Sequence, residues 1–155
     1  MNISVENWSY PIDESIVIDF EKKHNINIPN PYRQFLIDFN VAYVKPRRFF
    51  NKHVSQIQSG DEPDEGLDLF RGFSTDEEWC LDWYMDIYIY SGRISKVFLP
   101  IAAAAGGNVI CIGIAGNNHG KIFFWDHEDE YDGESLTCLA DDLNSFLNSL
   151  VGKQV

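Results

Sequence analysis

The run VFLPIAAAAGGNVICIGIAGNNHGKIFFWDH, Val97 to His127, decides the fold. Val97 to Ala103 reads as a strand, Gly106-Gly107 as a turn, and Val109 to Ile114 as a buried strand. Ala115-Gly116-Asn117-Asn118-His119-Gly120 is rich in residues that accept positive φ, so it is expected to turn a hairpin. The returning segment, Lys121-Ile122-Phe123-Phe124-Trp125-Asp126-His127, is apolar on both faces and therefore central to a sheet.

Upstream, Asp13 or Ser15 can cap a helix running to about His24, with Ile16, Ile18 and Phe20 among its apolar positions. Asn25 to Pro29 stops it. A second helix starts at Pro31, whose missing N–H suits a first helical turn, and carries Tyr32, Phe35, Leu36 and Phe39 at helical spacing. Val41 to Phe50 reads as extended, with Pro46 placing it at an edge or bend. Ser59 to Gly66 is an acidic loop, and Leu67 to Phe73 is a candidate strand. Ser74/Glu77 and Thr75/Glu78 form two overlapping capping boxes that predict an inserted helix. Trp79, Cys80, Trp83, Tyr84 and Ile87 would face inward on it. Its far end, Asp86 to Tyr90, alternates and fits helix or strand. After an acidic loop, Leu139, Leu143, Phe146, Leu147 and Leu150 predict a closing helix. The result is an α+β fold in one domain over residues 1–155, with its core at about 13–151: a mostly antiparallel sheet with N-terminal helices, an inserted helix and a C-terminal helix packed on it.

The 155 residues carry a net charge of −12, unevenly spread. Ten acids lie between Asp61 and Asp86 and eight between Asp126 and Asp142, together 18 of the 24 in the chain. Such a surface repels nucleic acid and anionic lipid and speeds encounter with basic proteins. No apolar stretch is long enough to span a bilayer, and Met1 to Tyr10 shows no secretory pattern, which makes the cytoplasm the expected address. The 3 cysteines, Cys80, Cys111 and Cys138, are far apart and unpaired in pattern, so reduced, largely buried thiols are expected.

The landmarks in order resemble the SUKH superfamily. Ile28-Pro29-Asn30-Pro31-Tyr32-Arg33-Gln34-Phe35-Leu36, ending at Asn40, matches its Leu-Pro-x-x-Tyr-x-x-Phe-Leu run. Leu99-Pro100-Ile101-Ala102, then Gly106-Gly107-Asn108-Val109-Ile110-Cys111-Ile112, match its middle. Phe124-Trp125-Asp126-His127-Glu128 matches its closing hairpin, and Leu139 to Leu150 its last helix. Val41 stands where the family usually has Gly. The resemblance implies protein binding. Many bacterial members are immunity proteins that neutralise a toxin, often a nuclease or other nucleic-acid-modifying domain, whereas eukaryotic members serve as regulatory or scaffold modules.

On the predicted inserted helix, Glu78, Asp82 and Asp86 lie four apart and would form an acidic ridge. Like charges at that spacing cost about 0.2–0.5 kcal/mol per pair, a cost understandable where a cationic partner docks. The ridge, the loop acids Asp61, Glu62, Asp64 and Glu65, and the acids Asp129, Glu130 and Asp132 are the candidate partner-binding residues. Trp8, Tyr10, Tyr88 and Tyr90 are candidate aromatic anchors. Asp126-His127-Glu128 beside His119 looks ligand-like, but strand neighbours point to opposite faces, and Asp129 to Gly133 lack calcium-loop spacing. No metal or cofactor is therefore expected. The cysteines sit in acidic or apolar runs unsuited to a reactive thiolate, and no hydrolase or phosphate-loop motif occurs, so the chain is read as a non-enzyme.

Overall fold

The structure, a computed structural model, describes residues 3–128 and 136–152. It is an α+β fold built on an eight-stranded antiparallel sheet. In chain order the elements are β1 (Ser4–Asn7), α1 (Glu14–His24), α2 (Tyr32–Phe39), β2 (Ala42–Lys45), β3 (Arg48–Phe49), β4 (Glu65–Phe70), α3 (Leu81–Tyr84), β5 (Phe98–Ala104), β6 (Val109–Gly113), β7 (Ile122–Trp125), β8 (Leu136–Ala140) and α4 (Leu143–Asn148). The strand order is β1-β2-β4-β5-β6-β7-β8, and β3 pairs with β4. Pro46 separates β2 from β3, which pair with opposite ends of β4 through Ala42↔Phe70 and Arg48↔Gly66.

Strand β7 is buried along its whole length, as its unbroken apolar run implies, but it lies second from the β8 edge, between β6 and β8, rather than at the centre of the sheet. Successive residues of a strand face opposite ways, so β7 serves two layers. Phe124 packs on Phe49 with ring centroids 5.8 Å apart, and Phe49 packs on Phe146 of α4 at 5.5 Å. Phe123 packs on Phe98 at 4.9 Å, and Trp125 on Tyr88 at 5.4 Å. Each fully buried Phe contributes about 1.5–3 kcal/mol of burial. Ahead of the sheet, α1 and α2 form a hairpin closed by Arg33, which binds Glu21 at 2.8 Å and Glu14 at 3.1 Å. Asn25 ends α1 in the left-handed conformation.

Several expectations change. In α1 the inward residues are Val17 and Phe20, while Ile16 and Ile18 are exposed. Leu139 lies on β8 rather than on the last helix, which starts after Asp142, whose carboxylate caps it by accepting from the Ser145 N–H at 2.7 Å. The inserted helix does not open at Ser74 or Thr75. A 3-10 turn spans Glu77–Trp79, Cys80 is extended, and only then does α3 begin. The cause is pairing: the Gly72 N–H donates to the Trp79 carbonyl, and the Leu81 N–H donates to the Gly72 carbonyl. That ladder holds Cys80 extended between the 3-10 turn and α3, so no continuous helix runs on from the capping boxes. Beyond Tyr84 the chain winds on as a π-helix, Met85–Tyr90, which settles the open choice at Asp86 to Tyr90 as helix. Cys111 is buried, whereas Cys80 and Cys138 are half-buried.

Candidate partner-binding surface

Asn40 organises one corner of the molecule. It ends α2 at φ 54°, is 1 % exposed, and is the one buried polar residue among the described residues. Its Nδ2 lies 2.6 Å from Ser9 Oγ, 2.9 Å from the Tyr10 carbonyl and 2.7 Å from the Phe73 carbonyl. Its Oδ1 accepts from the Phe73 N–H at 2.7 Å. The side chain thus ties the residues after β1 to those after β4. Gly72 is required there, because a Cβ would meet Asn40 Oδ1 and lie 2.9 Å from the Asn40 carbonyl carbon. Asn40 with its left-handed φ therefore performs the turn for which the following position needs no glycine.

That tie brings three rings together at the surface. Trp8 packs edge-on against Tyr43 at 4.9 Å and against Trp79 at 5.7 Å. Trp8 remains 47 % exposed and nearby Tyr10 88 % exposed. The Tyr43 hydroxyl is held by Asp68, whose hydrogen bond, together with partial burial and its charge, pushes the phenol upward. Exposed Asp76, Glu77 and Glu78 lead into Trp79, and Asp76 caps their turn by accepting from the Glu78 N–H. An aromatic cluster with an acidic rim results, the arrangement of an anchor surrounded by steering charge.

The acids singled out in the sequence divide by role. Glu78 borders the aromatic cluster, but the extended Cys80 separates it from α3, so Glu78, Asp82 and Asp86 do not form one helical ridge. Asp82 is bound within the chain, 2.7 Å from His24 Nε2 and 3.1 Å from Lys23 Nζ. Asp86 is exposed on the π-helix. Asp61 accepts from Lys52 at 2.7 Å and from the Gln58 N–H at 2.8 Å, and Asp64 accepts from the Asn51 N–H at 2.8 Å. These two acids fold their own loop. Glu65 is half-buried on β4, and burial, with Asp64 and Asp126 nearby, pushes its carboxyl up. Glu62 is exposed. Asp129, Glu130 and Asp132 lie outside the described residues. Of the four anchor candidates, Trp8 and Tyr10 belong to this corner, while Tyr88 packs inward on Trp125.

Tyr90 lines a different feature, an open cleft of about 870 Å³ at the C-terminal end of α1. Ile26, Met85, Ile89, Val97 and Ile114 give it an apolar floor, and Lys22 and Lys96 stand at its margin. His24, with its side chain only 3 % exposed, bridges Asp82 through Nε2 and the Tyr90 hydroxyl through Nδ1. A carboxylate only accepts, so neutral His24 carries its proton on Nε2 and accepts from Tyr90. The array joins α1 to the α3–π segment. The basic run near Pro46 is likewise structural: Lys45 pairs with Glu6, Arg47 donates to the Leu67 carbonyl and Arg48 to the Pro63 carbonyl. Asp126 accepts from the Glu128 N–H, and His127 is held by Asn108, a strand end entering a turn.

Comparison with known proteins places this architecture. The model of the SMI1 / KNR4 family (SUKH-1) matches residues 11–149. The chain belongs to this family. It is also similar to the SPbeta prophage-derived uncharacterized protein YokK of Bacillus subtilis (strain 168), at 28% identity over 139 residues, covering 83% of this chain and 69% of the relative. The residues carrying the SUKH pattern are builders of the fold. Tyr32, Phe35 and Leu36 are buried, Leu99 to Ala102 run along β5, and Gly106 and Gly107 turn from β5 to β6 at φ 79° and 88°. Trp8 lies before the matched span, and nothing in the SUKH pattern marked it.

Proposed function

We propose that this chain is an immunity protein that binds and neutralises a cognate polymorphic toxin, acting in the cytoplasm and without chemistry of its own. SUKH-1 membership supports the class, since the family includes immunity proteins of toxin systems. The observation that carries the binding mode is exposed Trp8 packed on half-buried Tyr43 and Trp79, with exposed Asp76, Glu77 and Glu78 leading into Trp79. Aromatic side chains supply most binding energy at such contacts, and rim acids accelerate encounter with a cationic surface. A toxin that acts on nucleic acid offers such a surface, because its substrate groove is built to hold phosphates. Glu62 and Asp86 add to the same field at longer range.

Co-expression with the toxin-like gene encoded beside this one, followed by co-purification, tests the reading. Survival together with a stable complex is expected. Trp8→Ala should weaken the complex by about 30-fold, roughly 2 kcal/mol, the scale of a hot-spot residue. Glu77→Gln with Glu78→Gln should slow association and flatten its salt dependence with little change in dissociation. Rescue without a complex refutes the binding mode, and failure to rescue by folded protein returns weight to a regulatory or scaffold module.

A further inference from the structure

At the β8 edge of the sheet, two side chains from β8 and its end meet a third from a distant part of the chain. His53 precedes the 3-10 turn Val54–Gln56, Cys138 lies on β8, and Asp141 follows it. His53 Nε2 is 3.1 Å from Asp141 Oδ1, and one donor atom from each of His53, Cys138 and Asp141 lies within 4.8 Å of the other two. We propose that His53, Cys138 and Asp141 form a binding site for zinc or a zinc-like divalent transition metal, with a fourth position taken by water.

The donor set selects the ion. A thiolate with an imidazole and a carboxylate suits zinc, whereas calcium and magnesium take oxygen ligands. Bond lengths of about 2.0–2.3 Å put tetrahedral donors roughly 3.3–3.6 Å apart. The nitrogen–oxygen pair is already close to that spacing, and the sulfur needs to approach by only about 1 Å, within reach of a side-chain rotation. Pairing of Cys138 with Phe123 fixes its backbone. An outer partner stands ready: Ser55 Oγ lies 2.8 Å from His53 Nδ1. In the metal-free protein Nδ1 accepts from the Ser55 N–H at 3.1 Å, and Nε2–H points at Asp141. On metal binding the imidazole proton moves to Nδ1 and donates to Ser55 Oγ, which is how metal-bound histidines are commonly held. The Cys138 thiol releases its proton to solvent. Burial holds that thiol up and Lys121 nearby lowers it, so the metal's charge is what drives deprotonation. The two outer ligands are 88 positions apart, which is why local spacing in the sequence conceals the set.

The test is titration of the reduced full-length protein with cobalt(II), a spectroscopic stand-in for zinc. Binding is expected with intensified visible bands of a four-coordinate site and a sulfur-to-cobalt charge-transfer band. Stoichiometric zinc should abolish both, and excess magnesium should not. Cys138→Ser should remove the charge-transfer band and Cys80→Ser should leave it. His53→Ala and Asp141→Ala should each weaken binding at least tenfold, with unchanged far-ultraviolet circular dichroism. Absence of the band, its survival in Cys138→Ser, or its displacement by magnesium overturns the proposal and leaves the trio as a hydrogen-bonded closure of the sheet edge.

Discussion

Replacing Asn40 separates side-chain from backbone effects at the corner that presents Trp8. The amide has two N–H hydrogens facing three oxygens and one carbonyl accepting from Phe73, so about three strong bonds are made. Each is worth about 1 kcal/mol net, and a buried partner left unpaired costs about 1–3 kcal/mol. The φ of 54° adds about 1 kcal/mol of strain for alanine. Asn40→Ala should therefore lose about 4 kcal/mol, lowering Tm by roughly 8–16 °C. Asn40→Gly loses the same bonds without the strain and should be about 1 kcal/mol better than alanine. Asn40→Asp keeps the acceptor for Phe73 but turns a carboxylate oxygen toward the Tyr10 and Phe73 carbonyls, and should be the least stable at neutral pH. Urea unfolding followed by tryptophan fluorescence measures all three. A loss under about 1 kcal/mol for alanine, or glycine no better than alanine, would refute this account.

Further substitutions probe Asp82 and the turn after β6. Burial acts to raise the Asp82 carboxyl, but hydrogen bonds from His24 and Lys23 outweigh it and hold the group below its ordinary 3.8. The stability it contributes is therefore present above about pH 4 and lost as pH falls through the depressed value. Asp82→Asn should be destabilised at pH 7 and converge on the parent below pH 3.8, and a pH-independent gap would exclude this origin. In Gly113→Ala the new Cβ would lie 2.6 Å from the Asn118 carbonyl carbon, backbone that cannot step aside. Soluble yield should collapse for Gly113→Ala but not for Gly152→Ala, whose Cβ meets nothing within 4 Å; equal yields would show the turn adapting.

The strands from Val97 to His127 were legible because their apolar runs are bounded by Gly and Asn turns, and β5, β6 and β7 lie where those signals put them. Local pattern failed where distant backbone took over. Ser74 to Glu78 satisfies the capping rule, yet hydrogen bonds to Gly72 hold Cys80 extended and interrupt the helix. Leu139 continues the apolar spacing of α4, yet β7 needs a neighbour and β8 supplies it. Strand β1 has four mostly exposed residues and no periodicity to read; pairing with β2 makes it. The acids were legible as charge but not as roles, because whether Asp82 or Asp61 faces solvent or a lysine depends on contacts across the fold.

The two ends of the sheet bear on how the protein behaves when concentrated. A sheet edge is a template for self-association unless it is short, charged or covered. The β8 end has the turn Val54–Gln56 packed against it. The β1 end is only four residues long, with Ser4, Glu6 and Asn7 exposed. Edges of this kind keep copies of the chain from adding to one another's sheets as concentration rises.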